Sequence, residues 1–204
     1  MKGATKHSPM QRRIERARMM ALAGNAPELD PRVFRDTLGL FATGVAVIVT
    51  ERCGEVHAMT ANAVSSVSLD PMLLLFCPSK NSQMSAHLGE VETFSINFLR
   101  SEQRALSTYF AGAWKKPSPP PFRFVRAGTT PRLEGSLAAL ICEKHQLIDA
   151  GDHWIVIGRV TALHRGIIPY HPLLFFQGQY QELGKSVGPA PELNSAQEPP
   201  CIFY

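Results

Sequence analysis

Apolar and polar positions follow one another in short segments along the chain, and this pattern predicts a mainly β protein. The apolar segments are a few residues long and are bounded by Gly, Pro, Asn, Asp and Ser. They predict strands at residues 45–50, 64–69, 72–76, 94–99, 137–147, 154–163 and 173–176. Because these strands do not alternate with long helices, we expect an antiparallel barrel or sandwich with peripheral short helices.

Short helices are predicted where a capping residue precedes an apolar segment and a glycine follows it. Three segments meet this rule. The first begins at Asp30-Pro31 and ends by Gly39 or Gly44. The second is residues 83–88, ended by Gly89, and the third is residues 102–111, capped by Ser101 and ended by Gly112. Apolar residues from Met10 to Ala21 also recur at helical spacing, with arginines on the other faces. That amphipathic helix is expected to pack on the protein itself or on a second subunit; an anionic membrane surface or an acidic partner is the alternative.

Length and proline distribution predict one folded unit with two extensions. The chain has 204 residues and 45% hydrophobic side chains, enough for one domain with a substantial core. Half of its 16 prolines lie at residues 117–121 and 189–200, the first in a predicted loop and the second in a tail. We therefore expect a basic extension at 1–29, the folded domain at 30–183 and a Pro/Gly-rich tail at 184–204.

Charge and cysteine usage argue against several classes of protein. The net charge is +4, but residues 1–18 carry +5, so the rest is close to neutral and nucleic-acid binding is not expected. The most apolar stretch, residues 41–49, is interrupted by Thr43 and Gly44 and is too short for a membrane span. The four cysteines form no C-x-x-C pair and the N-terminus does not resemble a signal peptide, which predicts a reducing cytoplasm.

Three catalytic or metal-binding patterns fail on inspection. Residues 184–188 match G-x-S-x-G by letter, but Pro189 and Pro191 follow where a nucleophile elbow needs a helix, and no phosphate-binding P-loop or G-x-G turn is present. Zinc-type residues occur at Cys142, His145, His153 and His164. Residues three apart on a strand face opposite sides, however, so we predict no metal site.

Three segments carry the residues that we expect to bind a ligand. In residues 59–71 the alternation predicts Val67 and Leu69 facing a core, while Ser66 and Ser68 present hydroxyls to a cleft; an ordinary edge strand is the alternative. Residues 77–82 combine a lysine and hydroxyls before a helix start, which fits a phosphate, although simple N-capping fits too. In residues 151–160 a turn leads into a strand with His153 at its mouth, where the imidazole can contact a planar ligand.

Seven segments together resemble the flavin reductase family with the FMN-binding split-barrel fold, the reductase components of two-component flavin-dependent monooxygenases. In chain order they are FRDTLGLFATGVAVIVT (34–50), MTANAVSSVSLDP (59–71), FSINFL (94–99), YFAG (109–112), RLEGSLA (132–138), GDHWIVIGRV (151–160) and PLLFFQGQY (172–180). The resemblance implies an antiparallel split β-barrel with peripheral short helices. It also implies hydride transfer from NADH or NADPH to FMN or FAD, a homodimer, and a separate oxygenase that receives the reduced flavin. A flavin-binding electron-transfer or storage protein without nicotinamide turnover is the alternative.

The resemblance also assigns roles to individual residues. His153 matches the histidine that contacts the nicotinamide. The residues expected to contact flavin are Thr60, Ala61, Asn62, Ser66, Val67, Ser68, Cys77, Ser79, Lys80, Asn81, Ser82, Phe110 and Tyr180. Within that set, residues 79–82 match the phosphate-binding segment. Ala58 and Met72 depart from the common pattern, which leaves the preferred flavin open.

Overall fold

The computed structural model describes residues 30–166, 171–184 and 186. The chain forms two compact units, Met1–Phe41 and Ala42–Tyr204. Helix α1, Pro31–Leu38, lies in the first unit, and the Asp30 side chain accepts a hydrogen bond from the Arg32 N–H at 2.7 Å. This is the helix that the Asp-Pro start predicts, and it ends at Gly39. The amphipathic helix predicted at residues 10–21 and nearly all of the tail at 184–204 lie outside the described residues.

The second unit is built mainly from antiparallel strands with two short helices. Its elements are β1 (Thr43–Gly44), β2 (Ala46–Arg52), β3 (Glu55–Ala61), β4 (Val64–Leu69), β5 (Met72–Phe76), α2 (Gln83–Leu88), β6 (Thr93–Phe98), a 3₁₀ turn (Ser101–Gln103), α3 (Arg104–Phe110), β7 (Phe124–Ala127), β8 (Thr130–Leu133), β9 (Ala138–Ala150), β10 (His153–Arg165), β11 (Leu174–Phe176) and β12 (Gln179–Gln181). The described part of the chain contains no helix with the length and apolar character needed to cross a membrane.

Seven strands form one sheet in the order β3-β2-β6-β9-β10-β5-β4, and all of its pairs are antiparallel. The strands β1, β11 and β12 form a second small sheet, and β7 pairs with β8 in a hairpin. Within the described residues, β3 and β4 are the two edges of the large sheet, so its hydrogen bonding does not close into a barrel. The predicted mainly β, antiparallel architecture is confirmed.

The long hairpin of β9 and β10 joins the two halves of this sheet. The first half of β9 pairs with β6, from Ala138 opposite Phe98 to Glu143 opposite Thr93. The first half of β10 pairs with β5, nearer the hairpin tip. Register shifts between Ile157 and Gly158 and between Val160 and Ala162 interrupt the pairing of β9 with β10 near the middle of the hairpin. Bulges increase strand twist and bend the sheet, so the two halves curl toward each other.

Two apolar cores lie on opposite faces of the sheet. Ala46 and Ile48 of β2 belong to the first core, which also holds Phe76 of β5 and Val156 of β10. Because β2 and β5 are not neighbours in the sheet, their shared core shows that the sheet curls around this cluster. The second core holds the alternate β2 residues Val47 and Val49 and also Val45, which directly precedes β2. They pack there with Leu106 of α3, Leu133 of β8 and Leu173.

A buried polar network fastens β8 to the second face of the sheet. The Asn97 side chain, fully buried in β6, donates to the Val47 carbonyl at 3.0 Å and accepts from the Leu133 N–H at 2.9 Å. It also donates to Ser95, whose hydroxyl donates in turn to the Pro131 carbonyl at 2.7 Å. Since each buried polar group has a partner, the network stabilises the arrangement instead of destabilising it.

Several local predictions are wrong or incomplete. Strand β3 and the hairpin of β7 and β8 are absent from the predicted set. The predicted cap Ser101 lies inside the 3₁₀ turn, and the Gln103 side chain accepts from the Arg100 N–H at 3.0 Å instead. Of the zinc-type residues, Cys142 is buried in the first core whereas His145 is exposed.

Gly158 should not tolerate a side chain. A Cβ there would lie 2.5 Å from Phe94 Cζ and 3.1 Å from Cys142 Cβ, in a core where both residues are fully buried. We expect Gly158→Ala to lower the free energy of unfolding by about 1–3 kcal/mol through overpacking, measured by urea denaturation. Gly89→Ala is the control: its Cβ would meet only the Ala86 carbonyl at 3.7 Å, so its effect should stay within about 0.5 kcal/mol. Equal effects of the two substitutions would contradict this packing argument.

Candidate functional site

Most of the residues predicted to bind a ligand lie along one continuous surface, which we call the polar rim: residues 62–68, 77–82 and 149–154. The segment 77–82 lies between the other two. Backbone hydrogen bonds join it to both: Cys77 N–H to the Ala63 carbonyl (3.2 Å), Trp154 N–H to the Pro78 carbonyl (3.0 Å) and Lys80 N–H to the Asp152 carbonyl (2.9 Å). Ser79 and His153 also form an isolated β-bridge. The fold therefore brings together three segments that are distant in sequence.

Strand β4 gives the rim an exposed backbone edge. Among the strands that the structure describes it pairs with β5 alone and ends the seven-stranded sheet, so its other edge presents peptide groups to a ligand. A bulge places Ser66 opposite Leu74 and Ser68 opposite Leu73, which leaves Val67 as the extra residue. Ser66 is exposed, as predicted.

The alternation predicted for β4 is wrong. Val67 and Leu69 were expected to face a core, but their side chains are 46% and 63% exposed. Ser68, expected to face the cleft together with Ser66, is only half-exposed. Directly opposed residues of an antiparallel pair share a face, and Val64 and Ser66 lie opposite the buried Phe76 and Leu74, so the predicted inward set was wrong before the bulge is reached.

The hydroxyls of the predicted phosphate segment are partly used within the chain. Ser82 caps α2: its Oγ accepts from the Ser85 N–H at 3.2 Å and donates to Ser85 Oγ at 3.0 Å. Ser85 Oγ donates to the Ser79 carbonyl at 2.6 Å, and Ser79 Oγ accepts from the Asn81 N–H at 3.4 Å. The capping alternative therefore accounts for Ser82, whereas the Asn81 side chain is exposed on the rim.

Lys80 provides the cation of the rim, and it already has an anionic partner. Its ammonium lies 2.6 Å from Asp149 Oδ2 and 4.8 Å from the ring centroid of Trp154. The hydrogen bond from Lys80 lowers the pKa of the Asp149 carboxyl from its ordinary value. Residue Asp149 was not among the sequence-derived candidates. The turn at Gly151-Asp152 was a signal for it, since a hairpin there pairs Asp149 with Trp154.

His153 is half-exposed at the start of β10, and Asp152 fixes the role of one ring nitrogen. Its Nδ1 lies 2.8 Å from Asp152 Oδ1, and this hydrogen bond lowers the pKa of the Asp152 carboxyl. An ionised carboxylate only accepts, so Nδ1 must be the donor. In the neutral ring Nε2 is then a hydrogen-bond acceptor.

Three of the predicted residues are connected on the second face of the sheet. Thr60 Oγ1 donates to the Ser107 carbonyl at 2.8 Å, and Ser107 Oγ lies 2.9 Å from the Tyr180 hydroxyl. Phe110 packs against the second core and contacts Tyr109, Phe122 and Phe124. Thr60 directly precedes Ala61, whose side chain is buried in the first core. The structure joins Thr60 and Tyr180 through Ser107 and places Phe110 in an aromatic cluster; the contacts of all three with flavin stay predictions.

Asn62 is exposed, and its side-chain position is supported by a residue that was not predicted. Its Nδ2 donates to Thr43 Oγ1 at 3.3 Å, which links the residue directly after β3 to β1. Within the described ranges no group of three or more His, Cys, Asp or Glu side chains is arranged to hold a metal ion. The rim thus offers amides, hydroxyls, one cation, one imidazole and the carboxylates of Asp149 and Asp152 as its polar groups.

The sequence model of the family described as "Flavin reductase like domain" matches residues 38–184. The chain belongs to this family. It is 40% identical over 160 residues to an NADH-dependent flavin reductase of a Rhodococcus species, covering 77% of this chain and 89% of the relative. It is 38% identical over 174 residues to the reductase subunit HsaB of a flavin-dependent monooxygenase of Rhodococcus jostii, covering 81% and 85%.

A solved structure shows the same fold. Streptomyces globisporus NADH:FAD oxidoreductase SgcE6, in complex with NAD and FAD fragments, has a TM-score of 0.70 and 31% identity, covering 80% of this chain and all of that one. The predicted family and enzyme class, flavin reductase, are confirmed. The seven motifs that carry the resemblance lie almost entirely within the residues that the family model matches.

The polar groups of the rim fit a flavin. The exposed edge of β4 supplies N–H and carbonyl groups of the kind that the polar edge of an isoalloxazine needs, and Ser66 adds a hydroxyl. Lys80 lies in the adjoining rim segment, residues 77–82, and its ammonium suits a phosphate group. The residues that would hold the cofactor are thus the β4 edge, Asn62, Asn81 and Lys80.

The cysteines allow a chemical test of the site. Burial raises the pKa of the Cys142 thiol to about 12 and also raises that of the half-buried Cys77, whereas Cys53 is exposed. At pH 8 we expect iodoacetamide to modify Cys53 first, Cys77 more slowly and Cys142 only after unfolding, as followed by peptide mass mapping. Saturating FMN should slow modification of Cys77 and leave Cys53 unaffected. Unchanged modification of Cys77 would show that flavin does not cover this part of the rim.

Proposed function

We propose that the protein transfers a hydride from NADH or NADPH to FMN or FAD bound at the polar rim, and that it supplies the reduced flavin to a separate monooxygenase. The observation that carries this proposal is the meeting of an exposed strand edge, a cation and an imidazole on one surface of a flavin reductase-like fold. The relative HsaB, named as the reductase subunit of a monooxygenase, supports the partner.

The residues of the rim act by binding and orienting. The flavin, when bound, supplies the hydride-accepting chemistry. Peptide N–H groups along β4 donate to the polar edge of its ring and favour negative charge there. The β-bulge at Val67 and the pairing with β5 hold those donors in fixed directions, which reduces the entropy lost on binding.

His153 orients the nicotinamide in this proposal. With Nδ1 donating to Asp152, the neutral ring presents Nε2 as an acceptor, and a carboxamide NH₂ group is a donor. His153 therefore binds the nicotinamide amide and transfers no proton. Asp152 holds the ring in this tautomer.

We further propose a homodimer with the split-barrel arrangement. Val67, Leu69 and Met72 are 46%, 63% and 51% exposed beside the rim, and an adjoining apolar surface of this kind is typical of a face that a second subunit covers. The single core shared by β2 and β5 supports a sheet curled into a barrel with one open side. The domain boundaries stay at 1–29, 30–183 and 184–204, since the family match at 38–184 lies almost wholly within the second of them.

A cytoplasmic location completes the proposal. The described cysteines, Cys53, Cys77 and Cys142, are all free thiols, which suits a reducing compartment.

A steady-state assay tests the proposed activity. We expect purified protein to oxidise NADH or NADPH, followed at 340 nm, at a rate that saturates with added FMN or FAD. Oxidation that is independent of flavin would contradict the mechanism. Tight flavin binding without any nicotinamide turnover would favour the electron-transfer or storage alternative.

Substitution of His153 separates nicotinamide binding from flavin binding. Loss of one hydrogen bond worth about 1 kcal/mol should raise the KM for the nicotinamide substrate about fivefold in His153→Ala, while the Kd of flavin changes by less than about twofold. His145→Ala is the matched control, because His145 is exposed on the neighbouring strand β9 and lies outside the rim. A loss of flavin affinity with unchanged nicotinamide kinetics would overturn the role given to His153.

A further inference from the structure

The lysine that suits the flavin phosphate is held by the β9–β10 hairpin through three contacts. Its N–H donates to the Asp152 carbonyl at 2.9 Å, its ammonium lies 2.6 Å from the Asp149 carboxylate, and the same ammonium lies 4.8 Å from the Trp154 ring centroid. The Lys80 side chain is 29% exposed and that of Asp149 is 68% exposed. The ion pair is thus at the surface, where a ligand can reach it.

A phosphate that binds the Lys80 ammonium must share that cation with Asp149. The carboxylate already accepts one of the three ammonium protons, and it brings a like charge next to the incoming phosphate. Both effects oppose phosphate binding. Neither affects a flavin that has no phosphate.

We propose that Asp149 is a specificity-determining residue that competes with the flavin phosphate for Lys80 and so limits the affinity for phosphorylated flavins. This inference rests on the proposed function, because it takes the polar rim as the flavin site. Its consequence suits a reductase that must release its flavin: the ring is held by the β4 edge, while the phosphate end contributes little.

The opposite role, in which Asp149 positions Lys80 for the phosphate, is disfavoured by the other two contacts. The backbone of Lys80 is fixed by its hydrogen bond to Asp152, and its ammonium also contacts the Trp154 ring, neither of which involves the Asp149 carboxylate. Removing the carboxylate charge therefore leaves the lysine near its place and frees its cation.

Titration calorimetry with FMN and with riboflavin, at low ionic strength, tests the inference. Asp149→Asn should tighten FMN about two- to fivefold and leave riboflavin unchanged, as expected for one exposed ion pair. Lys80→Met should bring the affinity for FMN close to that for riboflavin. In the Lys80→Met background, Asp149→Asn should increase the affinity for FMN by less than it does when Lys80 is present. Glu143→Gln is the matched control: it removes one negative charge from the same strand, where Glu143 pairs with Arg159, and should change neither affinity.

The outcomes separate this inference from the proposed function. If both flavins bind the unaltered protein but Asp149→Asn leaves their affinity ratio unchanged or weakens FMN, the inference is wrong and the proposed function stands. If neither flavin binds the unaltered protein, both are wrong.

A measurement on the unaltered protein provides a second readout. Because Lys80 now lowers the pKa of the Asp149 carboxyl, FMN should raise that pKa toward its ordinary value, as followed by carboxyl NMR titration, and riboflavin should not. A pKa of Asp149 that is the same with and without FMN would overturn the competition.

Discussion

The pairing of β9 with β10 is the constraint on which the rest of the structure depends. Each strand has 13 residues, longer than any other strand described. One end of the hairpin pairs with β6 and the other end with β5, so a single hairpin connects both halves of the sheet. The register shifts near the middle of the hairpin bend the sheet, and Gly158 lies at the first of them, where it lets Phe94 pack against the backbone. The curl, the first core and the rim all follow from this arrangement.

Elements with strong local signals were predictable, and those set by long-range pairing were not. The predicted bounds of β4, β5 and α2 agree with the structure, because each is a short run that ends at a turn or a glycine. Strand β3 was missed because its residues are nearly all half-buried, so no clear alternation appears in the sequence. The hairpin of β7 and β8 was missed because its strands are short and Pro131 lies in one of them.

The candidate site shows the same division between features with local sequence signals and features set by long-range contacts. Hydroxyls, amides, a lysine and a histidine could be selected because their chemistry is local to each segment. The turn at Gly151-Asp152 indicated that Asp149 lies opposite Trp154, but its pairing with Lys80 could not be predicted, since Lys80 is 69 residues away and becomes a neighbour only through the fold. The bulge in β4 could not be predicted either, because one inserted residue leaves the letters of the strand unchanged while it reverses the faces that follow.

The rim combines exposed functional groups with a buried frame. Trp154 and Leu147 pack against the first core, and Val156, two residues after Trp154, is fully buried, so the base of the hairpin tip is fixed by apolar contacts. Asp149, Asp152 and Asn81, by contrast, expose their side chains. Exposed groups contribute little to folding stability, whereas a charge beside a bound ligand changes its affinity directly. The sequence of the rim can therefore vary to adjust how firmly a ligand is held without disturbing the sheet that positions it.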